Sequence, residues 1–198
     1  MGRTKLTWRI KGGAIPCGQR TLIMGIVNVT PDSFSDGGQF FDPEAAVAHG
    51  VRLVADGADI LDVGGESTRP GSEPVQVEEE AARVVPVIKR LAAEVDVPIS
   101  VDTRKHAVAS EALEVGAAIV NDVTAGGDPE MFRVVRESSA GFILMHMHGQ
   151  PKTMQQEPLQ GDVVAIVHRY LADRVEAAVA EGIERDRLAI DPGLGFGK

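Results

Sequence analysis

Short apolar runs along the chain each end in a polar residue. The six runs are LIMGIVN, ADILDVG, PISVDT, AIVND, GFILMH and RLAIDPG, which end at Asn28, Asp62, Asp102, Asn121 with Asp122, His146 and Asp191. Near-continuous Val, Ile, Leu and Ala is typical of parallel strands that are covered on both faces. Polar residues at the carboxyl ends of successive strands build the site of an α/β barrel. The pattern therefore predicts six strands around one pocket.

Helical patterns separate these runs. The predicted helices cover about residues 42–57, 78–95, 103–116, 128–138 and 162–182. Asp42 followed by Pro43 is a typical helix start, and the same pair recurs at Asp128. Pro86 is expected to kink the second helix or to mark a late start. Thr103 is a candidate cap for the third helix.

Six strands and five intervening helices make three quarters of a (β/α)8 TIM barrel, an α/β fold that typically has about 250 residues. We therefore expect residues 1–198 to form a single barrel domain with about six of eight β/α units present, truncated at the C-terminal end. An open sheet could carry the same pattern, but polar residues at every strand end favour a closed ring. Residues 7–22 alternate enough to predict a small hairpin ahead of the barrel.

Composition and charge limit the partners of the protein. The 198 residues carry 20 basic and 29 acidic side chains, a net charge of −9, which argues against nucleic acid. Acidity does not exclude a phosphorylated ligand, because backbone amides and a metal ion can hold phosphate locally. The single Cys17 fits a reducing cytoplasm. No signal-peptide layout or membrane-length apolar run is apparent, so we expect no membrane partner.

Two long Gly-rich segments follow the first and second strands. They read NVTPDSFSDGGQFFDPEAA and GGESTRPGSEPV. Segments of this length often act as lids or binding loops, although each alone could be a tolerated surface insertion. Arg69 offers a planar donor fork for an anion, and Thr68 offers a hydroxyl. Asn28 and Asp32 carry hard oxygen ligands of the kind that help to hold Mg²⁺ on a phosphate.

Several runs resemble dihydropteroate synthase, and they occur in the order of that family. They are MGIVNVTPDSFSDGG, DVGGESTRPGS, SVDT, IVNDV, MHMHGQPKTMQ and DPGLGFGK, within about residues 22–198. The resemblance implies an α/β barrel that joins 6-hydroxymethyl-7,8-dihydropterin diphosphate to 4-aminobenzoate, giving 7,8-dihydropteroate and pyrophosphate for folate biosynthesis. It also implies Mg²⁺ as the cofactor, a homodimer, and sensitivity to sulfonamides as a drug target.

The resemblance implies roles for individual residues. Asn28 matches a residue associated with magnesium and diphosphate, and Thr68 matches a contact to the pterin diphosphate. The implied pocket includes Asp102, Asn121 and Asp191 at the pterin, Met145 packed on its ring, Phe34 and Pro70 around the aminobenzoate, and Asp62 as a further substrate-binding residue. The catalytic candidates are Asp102, Asp32 and Arg69.

Two departures from the family pattern change these expectations. Where members commonly read MHMQG, this chain has His148 at a rim position. The family's later Ser-Arg-Lys and Arg-Val-His motifs would follow Lys198, and they supply residues that bind pterin and phosphate. We therefore expect the 198-residue segment alone to lack part of the site.

The implied chemistry agrees with these residue types. A reduced pterin presents amino and ring N–H donors beside acceptors, and carboxylates with an amide match that edge. Loss of diphosphate leaves positive charge spread into the ring, which nearby carboxylates stabilise. Magnesium offsets the charge on the leaving group. An aniline-type nitrogen is mostly unprotonated at neutral pH, so the reaction needs no strong general base.

Two alternative functions remain open. His146 and His148 form an H-x-H pair, as in zinc-dependent barrel hydrolases, but those enzymes carry the pair at the first strand, where this chain has Asn28. A structural role for His146 is the favoured interpretation. The second alternative is a non-catalytic pterin-binding module or a folate-dependent methyltransferase. Such methyltransferases are not expected to carry the SFSDGG and ESTRPGS segments together.

Overall fold

A computed structural model describes residues 5–30, 42–67, 74–149 and 158–198. The strands are β1 (Leu6–Ile10), β2 (Gly13–Cys17), β3 (Met24–Asn28), β4 (Ile60–Gly64), β5 (Ile99–Asp102), β6 (Ile119–Asp122), β7 (Gly141–Met145) and β8 (Leu188–Asp191). The helices are α1 (Pro43–Ala55), α2 (Val77–Glu94), α3 (His106–Glu114), α4 (Met131–Ser138) and α5 (Val163–Ala180). None of the helices in these ranges is long and apolar enough to cross a membrane.

Six of the strands form one parallel sheet in which each strand pairs with the next along the chain, in the order β3-β4-β5-β6-β7-β8. A helix lies between every two neighbouring strands, which is the repeating β/α unit of a barrel. The predicted α/β class and the six predicted strands are thereby confirmed. Within the described ranges β3 and β8 are the two edges, so the sheet is a partial barrel.

The two faces of this sheet have different surroundings. Val27, Val63 and Val101 lie side by side on the outer face and are fully buried under the helices. Side chains alternate between faces along a strand. Asp62 and Asp102 therefore lie on the inner face, away from the helices.

The hairpin β1–β2 covers the amino-terminal end of the inner face. Ile10 and Ile15 form a second, smaller core with Ile60, Ile119 and Ile143 of the parallel strands. The Trp8 indole N–H donates to the Arg187 carbonyl at 2.9 Å. The predicted hairpin is confirmed, and it lies at the end of the sheet opposite the carboxyl ends of the strands.

Capping hydrogen bonds mark the starts of two of the predicted helices. Asp42 accepts from the Glu44 N–H at 2.9 Å with Pro43 as the first helical residue, and Asp162 accepts from the Ala165 N–H at 3.0 Å. Both side chains satisfy an N–H that has no partner inside the helix.

Two other expectations about where helices start are wrong. Pro86 does not delay α2, which begins at Val77. Pro86 has no N–H to donate to the Ala82 carbonyl, but both residues are exposed, so water can hydrogen bond to that carbonyl. Thr103 does not cap α3, because its hydroxyl accepts from the Lys105 N–H at 3.2 Å. The His106 N–H donates instead to Asp128 Oδ2 at 3.1 Å, from the loop that precedes α4.

We predict that Gly141→Ala destabilises the protein by about 1–3 kcal/mol, the usual cost of overpacking. A Cβ at Gly141 would lie 2.7 Å from Ile10 Cγ2, so the hairpin must move away from the sheet. Urea denaturation measures the loss. The matched control is Gly13→Ala on the hairpin, where a Cβ meets no atom within 4 Å. Equal stability of the two variants would contradict this packing.

Candidate functional site

Polar side chains from neighbouring strands meet on the inner face near the carboxyl ends. In the register of the sheet Asn28 lies beside Gly64, Gly64 beside Asp102, and Asp102 beside Asn121. On the other side Met145 lies beside Asp191. The sheet thus brings the predicted polar residues of β3, β5, β6 and β8 to one end of one face.

Asp62 and Asn121 form a hydrogen-bonded pair that spans β5. The Asn121 Nδ2 amide donates to Asp62 Oδ2 at 2.9 Å, and Asp62 is only 3% exposed. Asp62 Oδ1, Asn121 Oδ1 and Ser100 Oγ are buried and have no hydrogen-bond partner among the described residues. Buried polar atoms nearly always have a partner. These three atoms are therefore suited to a ligand or water.

The position predicted for Asp62 needs a correction. The apolar run suggested that its strand ends there, whereas β4 continues through Val63 to Gly64. The reason is that Val63 and Gly64 also pair with β5. Asp62 consequently lies one layer deeper in the sheet than Asp102, opposite Ser100.

Asp102 is the last residue of β5 and lies against the backbone of β4. A Cβ at Gly64 would lie 3.2 Å from Asp102 Oδ2, so glycine leaves the space for this carboxyl group. Desolvation, followed by repulsion from Asp62 and Glu80, raises the pKa of Asp102 well above its ordinary value. Burial also raises the pKa of Asp62, and the neighbouring Ser100 hydroxyl and the Asn121 amide oppose that effect.

Asp122 follows Asn121 but faces the other way. Its Oδ1 accepts from the N–H and the hydroxyl of Thr124, both at 2.7 Å, and its Oδ2 accepts from the Gly126 N–H at 2.8 Å. Arg174 of α5 donates to the carbonyls of Ala125 and Gly126 at 2.7 and 2.8 Å. Asp122 therefore shapes the loop after β6, whereas Asn121 faces the pocket.

Asp191 and the loop after β8 contact the end of β7. Asp191 Oδ1 accepts from the Gly193 N–H at 2.7 Å. Lys198 Nζ donates to the carbonyls of His146 and Gly193, both at 2.7 Å. Burial lowers the pKa of Lys198, and the Asp191 carboxylate opposes that effect. Met145 is buried beside Asp191, and its contact with a ligand ring stays a prediction.

His146 faces the helices instead of the pocket. Its ring packs edge-on against Tyr170 of α5, with centroids 4.8 Å apart and planes at 89°. Burial lowers the pKa of this imidazole. The contact with Tyr170 supports a structural role for His146. His148 is half-buried, and its backbone N–H donates to the Phe196 carbonyl at 3.2 Å.

Five predicted site residues lie outside the described ranges and stay predictions. They are Asp32, Phe34, Thr68, Arg69 and Pro70. Asn28 is described and lies exposed at the end of β3, on the inner face. Mg²⁺ usually takes only one or two protein ligands beside water and phosphate oxygens. A single amide oxygen at this position fits that kind of ion.

Sequence reasoning missed Ser100 and the charged side chains behind Asp102. Ser100 precedes Asp102 by two positions in a strand, and this spacing alone puts both on one face. Glu66, Glu80 and Lys105 come from three separate segments, so no local pattern indicates that they meet.

Comparisons with known proteins agree on one family. A family model described as "Pterin binding enzyme" matches residues 24–198. Dihydropteroate synthase of Synechocystis sp. is 41% identical over 199 residues, which cover 100% of this chain and 66% of that protein. The chain therefore spans just under two thirds of the length of this relative.

Two solved structures are also similar. The Xanthomonas albilineans dihydropteroate synthase with 4-aminobenzoic acid superposes with a TM-score of 0.88 at 50% identity, covering 97% of this chain and 68% of that one. The Burkholderia cenocepacia enzyme complexed with 7,8-dihydropteroate gives a TM-score of 0.85 at 41% identity, covering 98% of this chain and 65% of that one.

We predict that Gly193→Ala is more destabilising than Gly195→Ala. Both glycines have positive φ, +63° and +90°, so alanine is strained at either position. Only at Gly193 would a Cβ also lie 2.1 Å from a backbone atom, the His146 carbonyl oxygen, whereas at Gly195 it meets nothing within 4 Å. Thermal unfolding of the two variants isolates the clash, and an equal loss in both would refute it.

We also predict that Asp102→Asn stabilises the folded protein at pH 7.5. The folded-state pKa of Asp102 lies above the unfolded value of 3.8. Above about pH 4 the folded state therefore holds this proton more tightly, and stability falls as pH rises toward the folded pKa. Asparagine removes that loss, so its advantage in urea should shrink as the pH is lowered to 4. The control is Asp96→Asn, at an exposed residue before β5; a gain that is independent of pH would contradict the prediction.

Proposed function

The chain belongs to the pterin-binding enzyme family, and we propose that it forms the larger part of a dihydropteroate synthase. The reaction is the condensation of 6-hydroxymethyl-7,8-dihydropterin diphosphate with 4-aminobenzoate, which gives 7,8-dihydropteroate and pyrophosphate. Identities of 41% and 50% to proteins of that name support the assignment. Residues 1–198 would form one barrel domain of the enzyme.

The observation that carries the proposal is the group of inner-face polar atoms without partners. A reduced pterin has amino and ring N–H donors next to a carbonyl acceptor. Asp62 Oδ1 and the Asp102 carboxyl group can accept from the donors, and the Ser100 hydroxyl can donate. Ligand hydrogen bonds would satisfy the buried atoms that the described residues leave without partners.

The same carboxyl groups suit the chemical step. When the C–O bond between the pterin methylene and the diphosphate breaks, positive charge develops on that carbon and spreads into the ring. Asp62 and Asp102 would stabilise this charge in a pocket with little water. The arylamine nitrogen then attacks the methylene carbon and loses its proton to solvent.

Mg²⁺ is the proposed cofactor, and Asn28 is the described residue that would help to hold it. The ion would neutralise charge on the departing diphosphate. Asp32 and Arg69 are the further catalytic candidates. Thr68 would contact the diphosphate, while Phe34 and Pro70 would enclose the aminobenzoate. These assignments depend on the family resemblance alone.

The ligands of the two similar structures support the choice of substrates proposed for this chain. The Xanthomonas protein was solved with 4-aminobenzoic acid and the Burkholderia protein with 7,8-dihydropteroate. A homodimer in the cytoplasm completes the proposal, the single cysteine being the feature that favours this compartment.

The test is an assay of the complete gene product that contains this sequence. Purified protein with Mg²⁺ should release pyrophosphate and form dihydropteroate, identified by mass spectrometry, only when both substrates are present. Pterin binding without product would favour a pterin-binding module. Methyl transfer from a methylated folate, with no condensation, would favour a methyltransferase.

We predict that Asp102→Asn and Asp191→Asn each lower turnover in that protein by roughly tenfold to more than a hundredfold. The change removes a charge-assisted hydrogen bond, which is worth about 1.5–3 kcal/mol. Steady-state kinetics with each substrate varied measures the loss. Asp96→Asn, at the opposite end of β5, is the matched control and should keep full activity. Unchanged turnover in both site variants would remove these residues from the pocket.

A further inference from the structure

A cluster of charged side chains lies behind the pocket, at the carboxyl ends of β4 and β5. Lys105 Nζ donates to one carboxylate oxygen of Glu66 and to one of Glu80. The other oxygen of Glu66 accepts from Arg104 Nη2 at 2.7 Å. The Val75 N–H also donates to Glu66, at 3.2 Å. One lysine thus joins two acidic side chains from different segments.

Glu80 depends on Lys105 for its charge balance. It belongs to α2, is only 1% exposed, and its Oε1 has no hydrogen-bond partner among the described residues. Its side chain lies against Gly65, since a Cβ there would be 3.1 Å from Glu80 Cγ. A buried carboxylate that loses its cation is strongly unfavourable. In the described part of the chain, Lys105 is the cation that contacts this acid.

Asp102 lies next to this cluster, because its carboxyl group lies against Gly64 and the Glu80 side chain lies against the following residue, Gly65. Besides desolvation, the acidic groups whose charges raise its pKa are Asp62 on β4, Glu80 on α2, Asp122 on β6 and Glu66 after β4, and Arg104 and Lys105 follow it on its own segment. Lys105 contacts two of these four carboxylates. Burial opposes ionisation of Glu66, but Lys105, the Val75 N–H and Arg104 together outweigh that effect and lower the pKa of Glu66.

We propose that Lys105 is a positioning residue for Asp102: by neutralising Glu66 and Glu80 it keeps Asp102 able to accept hydrogen bonds from a ligand's N–H groups. The proposal rests on the proposed function in taking Asp102 as an acceptor for the pterin. Lys105 itself contacts the two glutamates and acts on the ligand only through Asp102.

The sign of the effect follows from the charges. Without Lys105 the negative potential at Asp102 increases, because two carboxylates lose their counter-ion. A stronger negative potential favours the protonated form, so the pKa of Asp102 should rise further. A protonated Asp102 has fewer oxygens that can accept, and pterin binding should then fail at pH values where the unaltered protein still binds.

The experiment compares Lys105→Met with Lys105→Arg in the complete gene product. Titration of ¹³C-carboxyl-labelled aspartate by NMR, with the Asp102 signal identified by its loss in Asp102→Asn, measures ionisation without any ligand. We expect the Asp102 midpoint to rise by about one pH unit in Lys105→Met, the lower end of the effect of a nearby charge. The pH below which pterin-diphosphate binding is lost should rise by the same amount. Lys105→Arg should restore both.

Two further variants separate charge from architecture. Arg104→Met removes the same charge from a more exposed side chain that contacts Glu66 alone, so its shift should be smaller. Lys105→Met combined with Glu80→Gln removes one carboxylate together with the cation and should return the midpoint toward that of the unaltered protein. If Lys105→Met does not fold, Glu80→Gln alone should lower the Asp102 midpoint.

Each contrary result has a distinct meaning. An Asp102 midpoint that is unchanged in folded Lys105→Met, or in Glu80→Gln, overturns the proposal for Lys105. An equal shift in Arg104→Met also overturns it, because the effect would then be general charge loss. Failure of the unaltered protein to bind pterin overturns the proposed function instead, and the NMR titration still tests the coupling between Lys105 and Asp102.

Discussion

Hydrogen bonds between parallel neighbours fix which residues share a face of the sheet, and the candidate site depends on that register. Because Asp102 pairs between Gly64 and Asn121, its side chain must face inward while Val101 faces the helices. A slip of one residue would exchange the two faces, burying carboxylates under α2 and exposing valines to the pocket. The apolar outer face therefore keeps the polar inner face in place.

The site carries an energetic cost that the rest of the domain offsets. Desolvation raises the pKa values of Asp62 and Asp102. The ionised form of each carboxyl group would therefore be more stable in water than in the folded chain. Such groups persist where packing elsewhere determines their position. Here the continuous core under the helices does so, and Gly64 and Gly65 allow carboxyl groups to lie close to the backbone.

The sequence predicted the elements better than it predicted their contacts. Strands and the Asp42 cap depend on residues that are near each other in the chain, and local patterns indicate them directly. Asp62 was placed one layer too high because strand length depends on the neighbouring strand. The bonds from His106 to Asp128 and from Lys105 to Glu80 join distant segments. No periodicity carries that information.

The hydrogen bond from Trp8 to Arg187 has a consequence for the order of folding. It joins residues 179 positions apart, so this bond cannot form until Arg187, just before β8, has been synthesised. At about 5–20 residues per second the ribosome needs roughly 10–40 s for that interval. During this time Ile10 and Ile15 can already contact Ile60 and Ile119, and the contact with Ile143 and the bond to Arg187 come last. Since Trp8 is the one tryptophan, its fluorescence reports the formation of this late contact.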